Sequence, residues 1–257
     1  MMVIVPRIAA VSYLNTIPFI YGIEREGNFR AELLLTPPAD CVRNFREGNA
    51  DIALLSAAAV PSLVDAEVVT EYCIGASGAV RTVMLMSNSP LAEARRVFLD
   101  AHSLTSVQLT AYLYKRHWRT APEFYTLTDY DQLNHACEGD AFLLIGDKVF
   151  DHEGQFPYTC DLAAEWIRMT KLPFAFAVWV ARKGVDKELI GGLQRALTFG
   201  LEHTYEAVLT YGFDQKPYDA YEYLTRNIDY IFDNQKQKAL QKFWDSGIKV
   251  APRANPG

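Results

Sequence analysis

The sequence predicts an α/β protein built on mainly parallel sheets, and two observations carry that expectation. Short apolar runs alternate with amphipathic segments from the start of the chain to about residue 182, the pattern of strands joined by crossover helices. Many of those runs break into small hydroxyl, amide or glycine residues before a helical pattern begins, which reads as strand, loop, helix start.

Taken in order, strands are expected over 3–11, 31–35, 51–55, 67–73, 80–87, 95–99, 122–126, 141–145 and 173–181. Each is a short apolar run, many rich in β-branched or aromatic residues. Helical patterns fall between them at 17–26, 38–48, 57–64, 104–118, 129–138 and 161–169. After Arg182 the pattern turns to helix only. The segment 186–211 sets Leu189, Leu193, Ala196, Leu197, Gly200, Leu201, Tyr205 and Val208 along one face. Two more helices are expected near 217–230 and 234–246, the second opening on Asp233-Asn234.

The extended apolar runs Ala79–Ser87 and Phe174–Ala181 bracket a middle block of about ninety residues, the size of a lobe of its own. The expected division is 1–87 with 180–257 as lobe 1 and 88–179 as lobe 2, with hinge strands near 84–88 and 176–181. A chain that leaves one lobe and returns through two adjacent strands makes a two-lobed clamp. No repeat, low-complexity segment or Pro/Gly/Ser-rich linker marks a simpler boundary.

Composition narrows the partners. Of 257 residues half are hydrophobic and 22% charged, with a net charge of −6 and no basic stripe, which argues against nucleic acid. An anionic ligand would have to be attracted by local groups, not by the overall field. No apolar run approaches the roughly 20 residues of a membrane span. Arg7 interrupts the first apolar stretch and no cleavage site follows it, so the cytoplasm is the expected compartment. The scattered Cys41, Cys73, Cys137 and Cys160 are expected to be reduced and structural. The histidines form no H-E-x-x-H and no cluster with cysteine, so no metal is expected. No Walker loop or G-x-G-x-x-G is present, so no nucleotide cofactor is expected either.

Six polar clusters follow apolar runs: Ser12–Thr16, Leu54-Leu55-Ser56, Gly75–Thr82, His102–Ser106, Gly146-Asp147 and Thr170–Phe174. Polar groups at the carboxyl ends of strands lie where open α/β sheets bind ligands. Ser103 is a natural N-cap, with Thr105 and Ser106 in the first turn behind it. Free N–H groups there would welcome a carboxylate or phosphate, though taken alone the cluster reads as plain capping first. Around Ser77 and Gly78 the chain permits close backbone approach to a ligand, Arg81 offers a positive charge and Thr82 a hydroxyl. The plain alternative is a turn with a solvent-facing Arg81. Gly146 permits a tight turn; Asp147 reads as catalytic, as a cap, or as a partner of Lys148. His102 and His135 have no evident carboxylate partner. The row Trp166, Phe174, Phe176 and Trp179 reads as core first and ligand wall second, and Tyr218, Tyr221 and Tyr223 as helix packing. No nucleophile with a base emerges. The groups suit gripping an oxygen-rich anion.

In order, the motifs S-Y-L-N-T-x-P (12–18), D-I-A-L-L-S (51–56), S-G-x-V-R-T-V (77–83), D-x-x-S-x-T-S (100–106), L-L-I-G-D (143–147) and D-L-x-x-E-W-x-x-x-T-x-L-P-F-x-F-A-x-W (161–179) resemble the chorismate dehydratases of the futalosine route to menaquinone. The resemblance covers roughly residues 7–182. It implies a two-lobed fold like that of periplasmic binding proteins, and a carbon–oxygen lyase that dehydrates the dianion chorismate to 3-[(1-carboxyvinyl)oxy]benzoate without a cofactor. It further implies Asn15 and Thr82 as catalytic residues. Ser12, Thr16, Ser56, Ser77, Gly78, Arg81, Ser103, Thr105, Ser106, Gly146 and Asp147 would bind substrate. Family members commonly carry Arg and Leu where this chain has Ile17 and Phe19, Ser where it has Thr82, and Gly where it has Ala163. The alternatives are the sister 1,4-dihydroxy-6-naphthoate synthase and a non-catalytic binder of small anions. With no general base among the motifs, the substrate's own enolpyruvyl carboxylate is the expected proton acceptor.

Overall fold

The computed structural model describes residues 5–100 and 102–254, so residues 3 and 4 of the first expected strand lie outside it. The chain divides into two units: Met1–Gly75 with Ala175–Asn234, and Ala76–Phe174 with Gln235–Gly257.

The first unit contains β1 (Arg7–Ala10), α1 (Ile17–Arg25), β2 (Glu32–Leu35), α2 (Pro38–Glu47), β3 (Ile52–Ser56) and β4 (Ala66–Ala76). The second contains β5 (Val83–Ser87), β6 (Arg96–Asp100), α3 (Leu104–Leu113), β7 (Glu123–Leu127), β8 (Asp140–Ile145), β9 (Tyr158–Asp161) and α4 (Leu162–Thr170). The chain then re-enters the first unit with β10 (Phe174–Arg182), α5 (Lys187–Glu202), α6 (Thr204–Thr210), the single turn α7 (Ala220–Glu222) and β11 (Asp229–Ile231). The last helix, α8 (Asn234–Asp245), belongs to the second unit.

The first unit's sheet has the order β11-β4-β10-β3-β1-β2 and the second's β7-β6-β8-β5-β9. The α/β class is as the alternation predicts, but the sheets are mixed, not mainly parallel. β1 runs parallel to β2 and β3, while β10 opposes β3 and β11 opposes β4. β6 runs parallel to β7 and β8, while β5 opposes β8 and β9. Sequence periodicity shows which segments are strands but carries no direction.

The two units divide at other residues than the expected lobes. β5 lies inside the second sheet, paired on both sides by β8 and β9. Residues 177–181, in β10, are likewise laddered to β3. The segment from 235 joins the second unit because Phe243 of α8 packs edge-on against Trp166 and Phe174, at 6.2 and 5.4 Å between ring centroids. Arg253 then bonds its backbone N–H to the Phe124 carbonyl at 2.9 Å.

Two strands escape the sequence pattern. β9 is largely exposed and shows no apolar run, and β11 refutes the expectation of helix only after Arg182. β11 is three residues long, and its Tyr230 is buried by tertiary packing. The helix expected over 186–211 breaks at His203, whose Nδ1 lies 2.8 Å from the Phe199 carbonyl while Thr204 Oγ1 donates to the Leu201 carbonyl at 2.8 Å. Such side-chain bonds compete with the helical ladder. The helices expected at 57–64 and 129–138 are 3-10 turns, Ala57–Ser62 and Tyr130–His135. Pro61 removes a donor from the first. Asp129 caps the second by accepting the Asp131 N–H at 2.9 Å.

In the first unit α1 packs on α5 through Gly22 and Gly200. A Cβ at Gly22 would collide with the Ala196 carbonyl, and one at Gly200 with that of Pro18. Phe19 on α1 meets Trp179 and Tyr230 edge-on, at 5.8 and 5.1 Å. In the second, Met86, Phe98, Phe142, Leu144 and Val149 form one buried cluster. Trp166, Phe174, Phe176 and Trp179 are all buried, which is the core reading; Tyr223 is buried too, but Tyr221 is exposed and meets Tyr205 edge-on. All four cysteines are free, and Cys137 is exposed, which does not fit a structural role.

Candidate functional site

In the second unit, strand directions bring the polar clusters to one edge of the sheet. β6 and β8 end there in parallel, β5 begins there with Val83 opposite Ile145, and β9 ends there with Asp161 opposite Met84. The carboxyl edge of a sheet is where α/β folds place ligands.

Ser103 caps α3, its Oγ accepting the Ser106 N–H at 3.2 Å and the Ser106 hydroxyl at 2.9 Å. Thr105 and Ser106 are buried. Ser106 is held further by Thr110, whose hydroxyl donates to the Ser106 carbonyl at 2.9 Å.

The turn before β5 is pinned by Asp161. Its Oδ2 accepts the Arg81 N–H at 2.7 Å and its Oδ1 the Ala164 N–H at 3.0 Å, so one carboxylate both caps α4 and holds the turn. Burial raises the Asp161 pKa, and the backbone N–H groups of Ala164, Arg81, Val80 and Ala163 counter it. Arg81 sits in the left-handed region (φ 63°). Its guanidinium is engaged by Glu153 at 2.8 Å and lies over the Phe150 ring, so the charge read from sequence already has a partner. Thr82 is 1% exposed, and its carbonyl accepts the Gly146 N–H at 2.9 Å. Gly146 takes φ 77°, ψ −166°, which a side chain would strain. It caps the turn Asp147–His152, so Asp147 is the turn's first residue and not its cap. Ser77 and Gly78 are exposed on the same turn as Arg81.

A third group at this edge was not read from the sequence. Asp100, ending β6, is 1% exposed and accepts the Tyr130 hydroxyl at 3.0 Å and the His102 N–H at 3.1 Å. Lys148 reaches it at 2.5 Å, contacts the Tyr130 hydroxyl, and stands 4.3 Å from the centre of the Tyr130 ring. Desolvation first, then the Asp100 charge, pushes the Tyr130 phenol above its ordinary range. His102, expected to lack a carboxylate partner, has Nδ1 3.1 Å from Asp100 Oδ1, and His135 lies 3.6 Å from Asp131. Lys148 lies 46 positions from His102 and Tyr130 lies 30 from Asp100, so spacing gave no signal. The only legible hint was Asp100 itself, at the end of an apolar run.

In the first unit, β1 and β3 are parallel and both end toward one edge. Beyond β1 the chain makes a 3-10 turn, Leu14–Thr16, that leads into α1 with Pro18 in its first turn. Leu14 and Thr16 are buried, Asn15 is partly exposed and Ser12 exposed. Thr16 Oγ1 donates to Asn15 Oδ1 at 3.2 Å, and the Tyr230 hydroxyl donates to the Asn15 carbonyl at 2.9 Å. Ser56, partly exposed, ends β3 opposite Ala177. Among the described residues, no group of three or more His, Cys, Asp and Glu is arranged to hold a metal, and no helix is long and apolar enough to cross a membrane.

The architecture is that of the periplasmic binding proteins. A Candida albicans protein described as having the generic periplasmic-binding-protein fold superposes with a TM-score of 0.65 at 11% identity, over 99% of both chains. The alkanesulfonate-binding protein of Xanthomonas axonopodis pv. citri, bound to MOPS, gives 0.61 at 11%, over 94% of this chain and 91% of that one. A protein of Archaeoglobus fulgidus gives 0.73 at 17%, over 93% and 95%. Within that class the chain belongs to a family described as menaquinone biosynthesis, whose profile matches residues 6–248. The chorismate dehydratase of Thermus thermophilus is 28% identical over 209 residues, 74% of this chain and 75% of that protein.

Proposed function

We propose that this protein dehydrates chorismate to 3-[(1-carboxyvinyl)oxy]benzoate, as a carbon–oxygen lyase of menaquinone biosynthesis working in the cytoplasm. The observation that carries the reading is the similarity to chorismate dehydratase within a menaquinone-biosynthesis family. Chorismate is a dianion with a ring hydroxyl and an enolpyruvyl ether. Breaking C4–O and C3–H makes the ring aromatic, so the enzyme's task is to select this elimination over rearrangement and ether cleavage.

The N-terminal turn of α3, capped by Ser103, suits one carboxylate, because the start of a helix presents backbone N–H groups and the positive end of its dipole. The side chains of Thr105 and Ser106 are buried and shape the turn. Thr82 and Gly146, tied by one backbone bond, offer a rigid wall with a hydroxyl. Asn15, with its backbone held by Tyr230, would bind the departing hydroxyl by its amide. The enolpyruvyl carboxylate takes the C3 proton, the C4 hydroxyl leaves with the electron pair of its bond, and water is the second product. Positioning supplies most of the acceleration.

The test is incubation with chorismate, following aromatisation by absorbance and identifying the product by mass. A product one water lighter supports the reading. No reaction with chorismate, but turnover of cyclic dehypoxanthine futalosine, would assign the sister synthase instead. Chorismate recovered unchanged from a tight complex would make the protein a binder.

A further inference from the structure

We propose that Lys148 is a substrate-binding residue, presenting its ammonium to a carboxylate from the carboxyl edge of the second unit's sheet. The inference deepens the dehydratase reading and rests on it for the identity of the substrate.

The Lys148–Asp100 pair is asymmetric. The carboxylate is 1% exposed and the ammonium side chain 26%, at 2.5 Å. Asp100 is surrounded by donors: Lys148, the Tyr130 hydroxyl, and the backbone N–H and Nδ1 of His102. Its negative charge is therefore shared inward, and what the pair shows to the outside is the positive end. A pair made only for stability gains little from leaving the cation a quarter exposed to water.

The lysine is also aimed. An ammonium has three donors on a flexible stem. Asp100 and the Tyr130 hydroxyl take two, the Tyr130 ring backs the head at 4.3 Å, and His102 Nδ1 stands 3.5 Å away. His102 directly precedes Ser103, the cap of α3, so the ammonium lies beside the turn already assigned to a carboxylate. Tyr130 also confines the side chain, which reduces the ordering cost when an anion binds. The other basic residue on this edge, Arg81, is paired with Glu153.

The experiment compares wild type, Lys148→Met, Lys148→Arg and the double variant Asp100→Asn/Lys148→Met, with thermal melting as the check on folding. The double variant matters because Lys148→Met alone leaves a buried charge unpaired. A lost charge-assisted bond predicts a KM for chorismate raised about ten- to a hundredfold in both methionine variants, with kcat within about threefold of wild type. Lys148→Arg should hold KM within about fivefold, since charge and donors remain. Raising the salt concentration should raise KM more in wild type than in the methionine variants. An unchanged KM in a folded variant lacking the ammonium overturns the inference. If wild type does not turn over chorismate, the dehydratase reading fails, and titration with benzoate decides the inference alone. Weaker benzoate binding in the double variant than in wild type upholds it, and equal or absent binding overturns it.

Discussion

The Tyr230 hydroxyl donates a 2.9 Å hydrogen bond to the backbone carbonyl of Asn15, joining residues 215 positions apart. The phenol is buried, and desolvation with the neighbouring Tyr223 pushes its pKa well up, so it stays a donor across the ordinary pH range. Tyr230→Phe removes that donor from the turn carrying Asn15. The expected loss is about 1 kcal/mol of stability by denaturant titration, together with a fall in chorismate turnover. Unchanged kcat would show that the turn is held by its other contacts.

Asn15→Ala should lower kcat on chorismate about a hundredfold, the usual scale for losing one donor to a developing charge. Thr82→Ala should lower it too, while Thr82→Ser keeps the hydroxyl and most of the rate. Near-normal kcat in both alanine variants would remove these residues from the mechanism. If His102→Ala or Asp147→Asn alone abolished turnover with binding intact, a side chain would replace the substrate carboxylate as proton acceptor.

Ser103→Ala removes the acceptor for the Ser106 N–H and hydroxyl. Stability should fall about 1 kcal/mol, as for other lost N-caps. KM should rise if α3's first turn holds a carboxylate. A stability loss with KM unchanged would leave Ser103 as a cap only.

Gly200→Ala forces a methyl into the Pro18 carbonyl, and backbone cannot give way as a flexible side chain can. Overpacking of this kind costs about 1–3 kcal/mol. Gly27→Ala is the control, with nothing within 4 Å of the added methyl. Melting temperatures that drop equally in both variants would refute the close α1–α5 crossing.

Alkaline pH should destabilise the second unit. Burial pushes the Cys160 thiol from 9.0 up to about 12, with Glu165 and Asp161 adding to it. A folded pKa above the unfolded one gives stability that is whole below about 9 and lost as pH rises toward 12. Tyr114 and Tyr130 shift upward as well, so their slope has the same sign. Melting temperature should decline from about pH 9 upward, and less steeply in Cys160→Ala. An equal decline in that variant would exclude the thiol.

Much of this fold is legible because its causes are local. β3 and β8 are continuous apolar runs, α3 begins where Ser103 accepts a bond three residues on, and Pro18 sits in the first turn of α1. The candidate site was legible to the same extent. Ser103 and Gly146 show themselves by capping and by a turn that needs positive φ, and Asn15 by its place after the first strand. Asp161 was legible only as the start of a helix. Its grip on Arg81 joins residues 80 positions apart, and β9 was missed because an exposed edge strand needs no apolar pattern.

The sequence by itself determined the α/β class, most strand and helix positions and the polar breaks after strands, since periodicity and capping act within a few residues. Tertiary structure alone decided strand direction, the passage of the last helix into the second unit, the buried Asp100 that gathers Lys148, Tyr130 and His102, and the tie from Tyr230 to Asn15. Those contacts join distant positions, and whether a polar side chain is buried beside a partner or left in water is settled only when the chain packs.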